Sequence, residues 1–190
     1  SASCGLEGSR VIEYKPLLDG AIELSNHQPS NTVILQRPQA KASLKKGRDI
    51  DWASAMTDAL VTDCVTVEAT DPLYILYTSG TTGLPKSIVH GTGGTLIQHK
   101  KEFLLHCNVK REDNIFYYTT CGWMMWNWLV SFLSTGATIV LYDGSPFYPN
   151  PSAMWNLIDE LKITTFGTSA KYIDACKNVH LVPKDFTELP

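Results

Sequence analysis

Several signatures that would classify a chain quickly are missing from these 190 residues. The five cysteines (Cys4, Cys64, Cys107, Cys121, Cys176) are odd in number, far apart and without a Cys-x-x-Cys. That spacing excludes a zinc knuckle and favours free thiols in a reducing compartment, cytoplasmic or mitochondrial matrix, over a disulfide framework. The histidines are equally scattered. His99 and His106 stand on one predicted helix, but no carboxylate or thiolate spacing accompanies them, so both read as surface or partly buried helix residues. Sixteen basic and nineteen acidic side chains give a net charge of −3 with no blocks of one sign, which argues against nucleic acid or an anionic membrane as partner. The longest apolar run, residues 122–133, is interrupted by Asn127 and Ser131 and is too short to span a bilayer. There is no signal peptide and no initial Met. The opening Ser-Ala-Ser-Cys-Gly reads as the end of a strand, so the chain is expected to be a piece of something longer.

What is present is an ordered globule, 44% hydrophobic and 18% charged, long enough for one domain with a real core. One stretch organises it. A run of β-formers, Leu73 to Tyr77, feeds directly into Thr78-Ser79-Gly80-Thr81-Thr82-Gly83-Leu84-Pro85-Lys86, and β-branched residues resume at Ile88 and Val89. Glycines let the backbone approach a ligand closely, and successive N–H groups can form an anion-binding nest. Thr78, Ser79, Thr81 and Thr82 add hydroxyl donors, and Lys86 adds a mobile positive charge suited to phosphate oxygens. The loop is not a Walker A motif, because Gly-Lys-[Ser/Thr] is absent and no helix pattern follows directly. A polar hairpin turn without a ligand is the bland alternative, but so long a pattern between two strand signals points to a polyphosphate grip.

Along the chain, strand and helix patterns alternate. Residues 13–25 show helical spacing, followed by a strand at 33–36; residues 1–4 are read as a first strand, giving a β–α–β start. The basic connection 37–49 reads as a solvated loop, and 51–60 as a short helix capped by Asp49 or Asp51. Residues 93–107 predict an amphipathic helix with Leu96, Phe103, Leu104 and Cys107 inward. Strands are predicted at 114–120, 137–142 and 163–167. Between them lie a helix apolar nearly all round (122–135, ended by Gly136) and one at 150–161 built on Met154, Leu157, Ile158 and Leu161; a short helix, 170–177, closes the chain. This alternation argues an open, largely parallel α/β sheet with flanking helices. Ligands of such sheets gather beyond the strand carboxyl ends. The loop at 78–86, Thr119-Thr120-Cys121-Gly122-Trp123 and Gly167-Thr168-Ser169 each follow a predicted strand, so the site is expected among them.

The loop resembles the phosphate-binding signature Thr-Ser-Gly-Thr-Thr-Gly-x-Pro-Lys of the AMP-forming acyl-CoA synthetases, the adenylate-forming superfamily, and Thr78 to Lys86 fill every fixed position. Residues 1–90 are similar to the propionyl-CoA and acetyl-CoA synthetase branch, through Glu13-Tyr14-Lys15-Pro16-Leu17, Gln36-Arg37-Pro38, Gly47-Arg48-Asp49-Ile50-Asp51-Trp52 and residues 71–86. From Gly93 onward the chain is closer to the acetoacetyl-CoA synthetase branch, through Gly94-Thr95-Leu96-Ile97-Gln98-His99, Gly122-Trp123-Met124-Met125-Trp126-Asn127-Trp128 and Val140-Leu141-Tyr142-Asp143-Gly144-Ser145-Pro146.

The resemblance implies part of the large N-terminal, AMP-binding domain of an enzyme that joins a short carboxylic acid to CoA. The acid attacks the α-phosphorus of ATP to give an acyl-adenylate and pyrophosphate, and the CoA thiol then displaces AMP. Thr78, Ser79, Gly80, Thr81, Thr82, Gly83 and Lys86 would hold the ATP phosphates with Mg²⁺, which takes no direct protein ligand here. Trp123, Met124 and Asn127 would shape the acyl pocket. Asn127 replaces a histidine of the acetyl and propionyl branch and suits a polar acyl group, making acetoacetate the better expectation over propionate or acetate. Trp126 and Trp128 are equally readable as core. Thr168 would lie near the acyl and CoA site, although the family's proline is missing beside it. The adenine-binding segment, the ribose-binding Asp, the hinge and the C-terminal domain with the adenylation lysine are not in this stretch, so the piece alone is not expected to complete thioester synthesis. Competing readings are a non-catalytic nucleotide- or polyphosphate-binding module, and an interaction domain that has kept the fold and lost its ligand.

Overall fold

The structure, a computed structural model, describes residues 1–57, 59–78 and 83–186. It divides into two compact units, residues 1–64 with 143–149, and residues 65–142 with 150–190.

The first unit opens with an antiparallel hairpin of β1 (Cys4–Glu7) and β2 (Arg10–Glu13), turned at Gly8 with φ +59°, a conformation glycine adopts freely. The expected β–α–β start is therefore preceded by a hairpin. Ahead of it, Ala2 bridges in parallel to Leu35, with Ser1 and Ser3 hydrogen-bonded to the same segment. Helix α1 (Lys15–Leu24), with Pro16 in its first turn, leads to β3 (Thr32–Ile34), which pairs in parallel with β4 (Asp49–Asp51). Asp51 then caps α2 (Trp52–Thr57), its Oδ1 accepting the N–H groups of Ala53 and Ser54 at 2.9 and 3.2 Å. Asp49 has a different job. Its side chain is 0% exposed and holds Lys15 Nζ at 2.9 Å and Arg48 Nε at 2.6 Å. It also accepts from Thr32 Oγ1 (2.5 Å) and the Lys45 N–H (2.8 Å). Arg48 and Lys15 both reach on to Asp19. The basic connection is thus only partly a solvated loop: Arg48 closes this cluster, and Arg37 pairs with Asp143 at 2.6 Å. Charges so sequestered need partners, and here every one has them.

The second unit contains the antiparallel hairpin β5 (Pro72–Tyr77) and β6 (Ser87–Gly91), followed at once by α3 (Thr92–Lys101) and a π turn, Glu102–His106. Then comes a three-stranded parallel sheet in the order β8 (Thr138–Val140), β7 (Asn114–Tyr117), β9 (Thr165–Gly167). Its crossovers are α4 (Met124–Ser131), continued as a 3-10 turn over Phe132–Thr135, and α5 (Ala153–Glu160), with α6 (Ala170–Asn178) after β9. Parallel strands require such crossovers, and the expected α/β architecture is what forms. The core gathers Phe103, Val109, Ile115, Leu129, Phe132 and Ala137, with Tyr117, Trp128 and Ile139 packed on it. Phe103 and Phe132 stack, their centroids 3.7 Å apart, and Trp128 meets both edge-on. Trp128 is core, and Gly136 ends the 3-10 turn at φ +84° as its position predicts.

Two expectations about faces fail. Leu96, Leu104 and Cys107 are exposed, and the inward residues of this helical stretch are His99 and Phe103. The apolar stretch 122–135 is not buried all round: Leu129 and Phe132 are covered, while Met124 and Leu133 stand 48% and 56% exposed. Hydrophobicity counts missed the first case because a hydrogen bond makes burial of a histidine tolerable.

The start of α3 shows how tightly the hairpin is joined to it. A Cβ on Gly93 would come within 2.7 Å of the Ala69 Cβ, whereas one on Gly94 would meet nothing within 4 Å. Gly93→Ala is expected to lose about 1–3 kcal/mol through overpacking, and Gly94→Ala to gain about 0.5–1 kcal/mol of helix stability. Urea midpoints of the two variants, read side by side, check this opposition of sign.

Candidate nucleotide and acyl site

The loop between β5 and β6 is clasped at its base. Thr78 N–H donates to the Lys86 carbonyl at 2.9 Å, and Lys86 N–H donates to Thr78 Oγ1 at 3.0 Å. The Thr78 oxygen is thus engaged as an acceptor from the lysine backbone. Gly83 has φ +149°, a value that disfavours a side chain. Ser79, Gly80, Thr81 and Thr82 lie outside the described residues. Lys86 is exposed, and among the described residues no carboxylate lies within ion-pair distance of its ammonium group. A clasp that fixes the root of a flexible cation suits an incoming polyanion.

Two of the three expected loops share the carboxyl edge of the parallel sheet. Tyr118 N–H donates to the Gly167 carbonyl at 2.9 Å, so residues 118–123 and Thr168 leave neighbouring strands side by side. Gly167 is required there, because a Cβ would sit 2.1 Å from the Tyr117 ring. The strands that flank the third loop, β5 and β6, form a two-stranded sheet of their own, separate from the parallel sheet among the described residues. Trp123 precedes α4 in extended conformation and is 69% exposed; Met124 begins the helix and Asn127 is half-buried. Thr168 carries the most telling atom: its Oγ1 is buried, and among the described residues no hydrogen-bond partner reaches it. An unsatisfied buried hydroxyl costs about 1–3 kcal/mol.

Tyr118 and Tyr142 flank the same edge with ring centroids 6.4 Å apart, and burial raises both phenols above their ordinary value. They stay neutral at pH 7. Among the described residues no group of three His, Cys, Asp or Glu is gathered to hold a metal, and no helix is long and apolar enough to cross a membrane. Sequence reasoning missed the contact behind α4, where His99 Nδ1 lies 2.9 Å from Ser131 Oγ. Nothing local signals it, since the two residues are 32 positions apart.

Loops converging on the carboxyl edge of a parallel sheet define an α/β protein of the kind that binds its ligand outside the strand ends. The chain belongs to the AMP-binding enzyme family, whose family model matches residues 11–189. It is 59% identical over 112 residues to acetoacetyl-CoA synthetase of Gallus gallus, covering 59% of this chain and 17% of that protein. It is 55% identical over 112 residues to acetoacetyl-coenzyme A synthetase of Rhizobium meliloti, with the same coverage. A malonamoyl-CoA synthetase of Penicillium aethiopicum is 52% identical over 134 residues, 65% of this chain and 18% of that protein. Among solved structures, acetoacetyl-CoA synthetase from Streptomyces lividans superposes with a TM-score of 0.80 at 39% identity, covering 97% of this chain and 28% of that one. The chain therefore spans less than a fifth of the length of these curated relatives.

Proposed function

We propose that this chain supplies the phosphate grip and acyl wall of an ATP-dependent, AMP-forming acid–CoA ligase, with acetoacetate as the acid. The observation that carries the reading is the clasp Thr78–Lys86, which closes a glycine- and hydroxyl-rich stretch of sequence on an exposed lysine. Its relatives' names point the same way. Thr78, Ser79, Gly80, Thr81, Thr82, Gly83 and Lys86 bind the β- and γ-phosphates. This positions the α-phosphorus for attack by the carboxylate and spreads the charge that builds as pyrophosphate leaves. Mg²⁺, when bound, arrives on the nucleotide and neutralises phosphate charge; it prefers a few oxygens plus water to an all-protein cage, and the hydroxyl-rich loop fits that habit. Trp123 and Met124 form the apolar side of the acyl pocket, Asn127 offers an amide to a ketone oxygen, and the Thr168 hydroxyl donates to the acyl or CoA end. CoA then takes the acyl group from AMP.

The test is a substrate panel on the full-length gene product: acetate, propionate, acetoacetate and butyrate with ATP, Mg²⁺ and CoA. Acetoacetate is expected to exceed butyrate, its match in chain length, by about 100-fold or more in kcat/KM. Sites built to hydrogen-bond a polar group reject analogues that lack it. Equal or better use of propionate or butyrate overturns the choice of acid. ATP-dependent loading of none of the four overturns the ligase reading in favour of a binding module.

A further inference from the structure

The buried polar side chain of α3, His99, is 9% exposed and faces α4. Its Nδ1 is 2.9 Å from Ser131 Oγ, and Ser131 Oγ is 2.8 Å from the Asn127 carbonyl oxygen. The order of protons in this relay is read from the Ser131–Asn127 hydrogen bond. A carbonyl can only accept, so the Ser131 hydroxyl proton is committed to Asn127. The Ser131 oxygen must then accept from His99, which places a proton on Nδ1. The relay meets α4 at the turn that carries Asn127, one turn beyond Met124.

At its other end, α3 is fastened to the phosphate hairpin. Thr92 N–H and Oγ1 both donate to the Asp71 carbonyl at 2.9 Å, and Gly93 N–H donates to the Ala69 carbonyl at 2.8 Å. Within the hairpin, Tyr74 lies against His90 with ring centroids 5.0 Å apart. One helix therefore joins the segment that ends in the phosphate loop to the helix that carries the acyl residues. The apolar contact beyond the two helices, Phe103 of the π turn on Phe132 of the 3-10 turn, permits sliding; a directional hydrogen bond does not. Burial, reinforced by His90 on β6 and opposed by Glu102 in the adjoining π turn, holds the imidazole below its ordinary pKa. The ring is thus neutral at pH 7, with Nδ1–H donating.

We propose that His99 is a positioning residue for the acyl pocket: as the Nδ1–H tautomer it locks α4 through Ser131 and so sets where Met124 and Asn127 stand relative to the phosphate hairpin. The proposal rests on the reading of those two residues as acyl contacts. It assigns His99 no contact with substrate.

Two measurements test it. In the 190-residue chain, imidazole nitrogen NMR at pH 7.5 is expected to show His99 protonated at Nδ1 and bare at Nε2, and Ser131→Ala to abolish that bias. An Nε2–H tautomer overturns the relay. In the full-length gene product, His99→Leu is expected to raise KM for the acid about 10-fold, with KM for ATP within about 2-fold of wild type. His99→Asn, whose amide can donate from nearly the Nδ1 position, restores most of the loss. Should the leucine variant not fold, Ser131→Ala carries the same test, with a rise in acid KM of about 3-fold or more. Parallel changes in both KM values, or no difference between asparagine and leucine, overturn positioning and leave only packing. If the wild type uses another acid, the choice of acetoacetate fails, while the split is read on that acid.

Discussion

On the proposed reading, Lys86→Ala is expected to weaken ATP·Mg²⁺ binding about 10- to 100-fold while leaving the fold intact. Hydrogen bonds to charged groups contribute about 1.5–3 kcal/mol, and the ammonium group of Lys86 is the charge that the clasped loop presents. Its backbone is held by Thr78 from both sides, so truncating the side chain removes the cation without loosening the loop's root. Exposure of Lys86, together with the absence of a carboxylate partner among the described residues, predicts a change in stability within about 0.5 kcal/mol. Lys86→Arg keeps the charge but changes its shape and donors, and is expected to fall between the two. Calorimetric titration of ATP·Mg²⁺, beside urea denaturation of the same variants, separates the effects. Equal affinity in wild type and alanine variant removes the loop from the site.

The proposed phosphate grip stands out in the sequence because such a grip is a local object. Its hydroxyls, glycines and lysine must be close in sequence to be close in space, so residues 78–86 declare themselves. The helix read from Met154, Leu157, Ile158 and Leu161 was legible through periodicity: Met154 and Ile158 are buried as expected, while Leu161 is exposed and Trp155 is buried with them. What escaped was non-local or polar. Trp128 could not be assigned to core or pocket until Phe103 and Phe132 were placed beside it. The hairpin of Cys4–Glu7 and Arg10–Glu13 escaped because β2 buries none of its residues, which leaves no alternation to detect. His99 and Ser131, and likewise Asp19 with Arg48, are partners across long stretches of chain. Polar residues that satisfy one another inside a fold look in sequence like residues that face water.

That last class carries the other large effect. Asp49→Ala is expected to destabilise the first unit by about 3–5 kcal/mol, the cost of breaking a buried ion pair by removing one partner. Lys15 and Arg48 would then share only Asp19, and the Thr32 hydroxyl and Lys45 N–H would lose their acceptor. The same geometry fixes a pH dependence. Hydrogen bonding from Arg48, then from Thr32, Lys45 and Lys15, overcomes the effect of burial and holds the Asp49 carboxyl far below the usual carboxylate range. Asp19 is lowered as well, first by Lys15 and then by Arg48. A carboxylate with a depressed folded-state pKa binds fewer protons folded than unfolded. Its stabilisation is present above the unfolded value of about 3.9 and drains as pH falls below it. Wild-type stability should therefore decline from about pH 5 downward, with Asp49→Asn less stable at pH 7 and shallower in that decline, the remainder coming from other lowered carboxylates such as Asp19 and Glu102. Hydrogen exchange at the amides of Thr32–Ile34 and Asp49–Asp51, followed between pH 7 and pH 4, reports on this pair of strands. If Asp49→Asn matched the wild type at pH 7, the cluster would be a solvated ornament of the loop and not its anchor.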